Sequence, residues 1–115
     1  MIAVIFEVEL GAGKWDEYMD IATRLYDELL NIEGFISVER FKSIMDERKL
    51  LSLSFWKDEE SVANWRNTIH HRGAQKKGRA SIFQNYRLRV TNVVRDYGME
   101  ERDAAPTDSK LFHHK

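Results

Sequence analysis

Between positions 64 and 72 the chain brings together Asn64, Trp65, Asn67, His70, His71 and Arg72. An imidazole titrates near neutral pH, so His71 is a candidate base toward a weakly acidic, phenol-like substrate. A tryptophan offers a flat ring for stacking, and carboxamides orient a ligand through hydrogen bonds. Asn64, Trp65 and His71 therefore form the candidate catalytic set, and Tyr26, Phe55, Asn67 and His70 the candidate substrate contacts. A plainer reading stands beside this one. Trp65 shares helical spacing with Val62 and Ile69, as a core residue would, and the Asn/His stripe fits a solvated face. Tyr18, Tyr26 and Tyr86 are further candidates to face a pocket or to pack in the core. Arg87 and Arg89 suit either an anionic substrate or ion pairs with Glu7 and Glu9.

Other chemistries lack their residues. The chain has no cysteine, which removes disulfides, thiolate metal sites and a thiol nucleophile. Gly11-Ala12-Gly13-Lys14 is a turn, not a phosphate-binding loop, and no HExxH is present. His70 and His71 are adjacent, so a helix points them apart, and no metal site is assigned. Basic and acidic residues number 18 and 19, for a net charge of -1. That balance argues against a general nucleic-acid or membrane-surface binder. MIAVIFEVEL carries Glu7 and Glu9 within its apolar run and reads as a strand, not a signal peptide. A cytoplasmic protein is the default expectation.

The elements that must position these groups follow from periodicity. Residues 1–10 are β-branched and aromatic, apolar toward both sides, and suit a central strand. Over 14–32, Trp15, Tyr18, Met19, Ala22, Leu25, Tyr26, Leu29 and Leu30 recur at i, i+3, i+4 and i+7, which predicts an amphipathic helix ended by Gly34. Residues 35–45 and 50–56 alternate and form a hairpin across Asp46-Glu47-Arg48-Lys49. Asp58 is a candidate cap for a second helix, expected as two pieces over 59–67 and 70–79 because Gly73 and Gly78 interrupt it. Residues 84–97 make a fourth strand, and 98–115 a polar tail or arm.

The order β-α-β-β-α-β is the ferredoxin-like, α+β arrangement, with a four-stranded antiparallel sheet and both helices on one face. The first and fourth strands are expected as central neighbours. The helix side is expected to hold Val4, Phe6, Leu51, Leu53, Phe55, Leu88 and Val90. The open side would hold Ala3, Ile5, Glu7, Phe41, Ser52, Ser54, Trp56, Arg87, Arg89 and Val93. An open face this apolar calls for a second copy of the chain, hence a homodimer. The alternative is a monomer whose ion pairs solvate that face.

Taken as a set, GFISVERFKS, KLLSLSFWKDEESVANWRNTIHHRGAQ and YRLRVTNVV resemble the antibiotic biosynthesis monooxygenase family over residues 1–97. The resemblance implies a dimeric α/β barrel with a pocket between sheet and helices in each subunit. It also implies oxygenation of a small aromatic or quinol-like compound by O2 without metal or flavin. Trp65 and Asn64 would then line the pocket, with His71 as base. Other members degrade haem. Trp65 matches their helical Trp, whereas Gln75 stands where their His would be and residues 1–10 hold no Asn. Haem binding or degradation is thus one alternative, and a non-catalytic dimeric ligand-binding module is another.

Overall fold

A computed structural model of the chain describes residues 1–72 and 82–113, with the side chains of 69–72, 112 and 113 outside the description. The elements are β1 (Ile2–Leu10), α1 (Trp15–Leu29), β2 (Phe35–Lys42), β3 (Lys49–Trp56), α2 (Glu59–Arg72), β4 (Phe83–Asn92) and α3 (Thr107–His113). The sheet has four strands in the order β2-β3-β1-β4, all pairs antiparallel. This is the ferredoxin-like α+β fold expected from the sequence.

Several boundaries differ from expectation. β1 and β3 are the central strands, whereas β4 is an edge, because the second hairpin strand inserts beside β1. β4 ends at Asn92 rather than 97; beyond it, the Val93 N–H still donates to the Met1 carbonyl at 3.0 Å. α2 runs unbroken through Arg72, so the division near Thr68 does not occur. The Thr68 hydroxyl instead donates back to the Asn64 carbonyl at 2.8 Å within the helix. The rest of the expected second piece, including Gly73 and Gly78, lies outside the described residues. The 98–115 segment contains α3.

Register decides which side chains face the helices. Ile2, Val4, Phe6 and Val8 stand opposite Trp56, Ser54, Ser52 and Leu50, and residues directly opposite share a face. Ile2 and Trp56 pack with Leu29 and Val62; Val8 and Leu50 pack with Tyr18, Ala22 and Ile82. The expected sides of β3 are therefore inverted. Leu50, Ser52, Ser54 and Trp56 look toward the helices, and Leu51, Leu53 and Phe55 toward the open side beside Glu7, Ile5 and Ala3.

Local chemistry fixes the two helices over the sheet. α1 buries Tyr18, Ala22 and Leu29, while Trp15, Tyr26 and Leu30 at the margins of its stripe are exposed. α1 ends at Leu29, and Gly34 serves the following turn, with φ +91°. A side chain there would run into Ser61, so only glycine lets the turn approach the start of α2. Asp58 caps α2 as expected, accepting from the Ser61 N–H at 2.9 Å and the Ser61 hydroxyl at 2.7 Å.

Candidate functional site

Between the helices and the sheet lies a cavity of about 360 Å3. Its floor comes from alternate residues of all four strands: Val4 and Phe6, Val38 and Arg40, Ser52 and Ser54, Leu88 and Val90. Its roof comes from α1, through Tyr18, Ile21 and Leu25, and from α2, through Val62 and Trp65. Both serines are small, and opposite Val4 and Phe6 they leave room that larger β3 side chains would fill. The inverted register of β3 thus makes space for a cavity.

Aromatic rings order one end. Phe6 meets Phe83 and Tyr86 edge-on, with centroids 5.6 and 5.7 Å apart, and Tyr18 lies 5.9 Å from Phe83. At the other end Trp56 is buried, packs edge-on against Phe35 at 5.2 Å, and donates its indole N–H to the Ser54 hydroxyl at 2.9 Å. Such edge-to-face pairs hold ring orientation as well as burying area. Trp65 packs against this second cluster and lines the cavity, so its core and pocket roles coincide.

The other candidates separate. Asn64 and Asn67 are exposed and lie off the cavity. Successive helical residues are rotated by about 100°, so Asn64 cannot share the face set by Val62 and Trp65. Tyr26 is exposed on α1, and Phe55 is on the sheet's open side. The side chains of His70 and His71 lie outside the described residues. Of the two further tyrosines, Tyr18 and Tyr86 both line the cavity.

Arg40 was not singled out from the sequence. It reaches the cavity from β2, and its Nε is buried with no hydrogen-bond partner among the described residues. The available signal was its spacing of two from Val38, which puts both on one side of the strand. β2 is mixed on both sides, so spacing alone could not say which side was inward.

Ion pairs elsewhere are structural. Arg89 pairs with Glu7 at 3.0 Å across β1 and β4, as anticipated, while Glu9 pairs with Arg48 at 3.3 Å. Asp46, in the β2–β3 turn, accepts from the Arg48 N–H at 2.9 Å and lies near its guanidinium. These contacts hold the Asp46 carboxyl below its ordinary range. The Ser61 backbone and hydroxyl do the same for Asp58. Both groups lie away from the cavity.

The sequence model for antibiotic biosynthesis monooxygenases matches residues 1–77. The chain belongs to this family. It is 47% identical over 94 residues to a jasmonate monooxygenase of Pyricularia oryzae, which covers 82% of this chain and 44% of that protein. The chain thus spans less than half of that relative's length. An uncharacterized Bacillus subtilis protein, YqjZ, is 26% identical over 84 residues, covering 73% of this chain and 72% of its own. Among solved structures, SnoaB of Streptomyces nogalater, described as a cofactor-independent oxygenase, superposes with a TM-score of 0.71. That match has 8% identity and covers 83% of this chain and 94% of the other, a likeness of fold. No described helix is long and apolar enough to cross a membrane.

Proposed function

We propose that the helix–sheet cavity binds a small, mostly apolar molecule, aromatic or quinol-like, and that the protein promotes its oxygenation by O2 without a resident metal or flavin. The observation that carries this reading is the cavity of about 360 Å3, walled by aliphatic and aromatic groups with few polar ones. Its size lies in the range of small-molecule sites. The family match and the description of SnoaB as cofactor-independent support the chemistry. The fungal relative's name supports a related reading, in which the ligand is jasmonate or a molecule of that kind.

The reaction needs a substrate that supplies its own electrons. Loss of a proton gives a carbanion or phenolate, which passes one electron to O2. The two radicals combine to a hydroperoxide, and loss of water leaves a carbonyl. One oxygen atom enters the product, the other leaves in water, and a CH2 becomes C=O. The protein positions the substrate and takes the proton. In this proposal Trp65 holds the ring and His71 is the base. Residues 1–97 form the working unit.

We also infer a homodimer formed through the open sheet face. Ile5, Leu51, Leu53 and Phe55 lie on that face, half-buried, and Phe41 is exposed. Ile44 and Met45 at the hairpin tip are exposed apolar residues able to reach a partner.

The test is oxygen uptake with a panel of hydroquinones and naphthols under 18O2, with mass spectrometry of products. One labelled atom per product is expected. Trp65→Ala is expected to lower kcat/KM about 10-fold or more, and His71→Ala about 100-fold, both with unfolding curves retained. Uptake equal to the buffer blank across the panel would remove the oxygenase reading.

A further inference from the structure

We propose that the cavity's ligand is an organic oxyanion, an apolar body bearing one carboxylate or phenolate, and that Arg40 recognises that group. The proposal rests on the cavity being the substrate site, and it adds the substrate's charge and the residue that selects it.

The argument starts from a buried cation without a partner. Arg40 Nε is out of contact with solvent and has no hydrogen-bond partner among the described residues. Buried polar groups are nearly always paired, so an unpaired one asks for an explanation. Arg48 and Arg89 show the ordinary solution, since each meets a carboxylate within 3.5 Å. Arg40 does not, although it is one of the cavity's walls.

The surroundings sharpen this. Among the described residues lining the cavity there are two arginines, Arg40 and Arg66, and no aspartate or glutamate. Its polar floor is otherwise hydroxylic. Ser52 stands opposite Arg40 in the β2–β3 register, and Ser54 lies nearby. Ser54 accepts from the Trp56 indole, which leaves its own hydroxyl proton to donate. Arg40 and Ser54 thus present donors, and the remaining walls are largely apolar. A guanidinium fork matches a planar oxyanion, and low local dielectric strengthens the contact. A neutral ligand would leave the Arg40 donor unmet.

Calorimetric titration at neutral pH distinguishes the possibilities with matched pairs: 2-naphthoic acid against its methyl ester, and 2-naphthol against 2-methoxynaphthalene. The wild-type chain is expected to prefer the acid over its ester by about 10- to 100-fold. Arg40→Gln is expected to erase the preference while leaving ester affinity unchanged, and Arg40→Lys to restore part of it. A preference confined to the naphthol pair and growing with pH assigns the phenolate; one confined to the acid assigns the carboxylate. Equal affinity within both pairs overturns the proposal but keeps the cavity as the site. So does a preference that survives Arg40→Gln. If no compound binds at millimolar concentration, the substrate-site reading fails and the proposal falls with it. The wild-type comparisons stand even if Arg40→Gln does not fold.

Discussion

The two faces of the sheet are built from the same strands and have opposite characters. Toward the helices, β3 presents Leu50, Ser52, Ser54 and Trp56; toward the open side, Leu51, Leu53 and Phe55. The richer apolar set is thus on the side that no described helix covers, and the serines are on the side that looks like a core. A covered face needs its floor low where it must hold a ligand, and small side chains provide that. An uncovered face of leucine and phenylalanine is stable only if something buries it. The difference teaches that an apolar stripe marks a surface to be covered, not which partner covers it.

The sharpest way to break this comparison is to truncate neighbours that point opposite ways. Trp56 is 2% exposed at the centre of the packed face. Trp56→Ala should cost about 3–5 kcal/mol, independent of protein concentration, in denaturant unfolding. Phe55→Asp should act through association instead. We expect the dimer to weaken by about 30-fold or more, equivalent to ~2 kcal/mol, in sedimentation velocity. A wild-type chain that sediments as a monomer at micromolar concentration would remove the interface from the comparison.

Smaller effects sharpen it. Ser52→Leu should fill the cavity floor, reducing affinity for any bound naphthoate or naphthol by about 10-fold, with a change in stability of about 1 kcal/mol or less. Calorimetry beside thermal unfolding separates the two effects. At the edge of the covered face, Asp58→Ala removes the α2 cap and should lower Tm by about 4 °C at neutral pH. The Asp58 carboxyl is held below its ordinary value of 3.8 by the Ser61 contacts. Its contribution is therefore present above that value and is lost as pH falls through the depressed folded one. Asp58→Asn keeps an acceptor and should flatten that acid limb, which thermal scans between about pH 2 and 5 would read.

Much of the fold was legible in order and type. β1 is apolar on both sides and does lie at the sheet's centre. Asp58 followed by two glutamates marked the start of α2, and the Asp58 cap forms as read. The site was less legible. Trp65 lies on the cavity, but Asn64 and Asn67 turn away with the helical rotation, and Phe55 sits across the sheet. Arg40 escaped notice because one strand in isolation carries no sign of which side is inward.

The sequence by itself determined the elements, their order and the family, because periodicity, turn residues and motif spacing are local quantities. Tertiary structure alone decided the register between β1 and β3. That pairing is a contact between distant parts of the chain, and a shift of one residue exchanges every side chain's face. The register turned two serines into the floor of a cavity and sent Phe55 to the open side. It also set Arg40 opposite Ser52, a cation facing apolar walls.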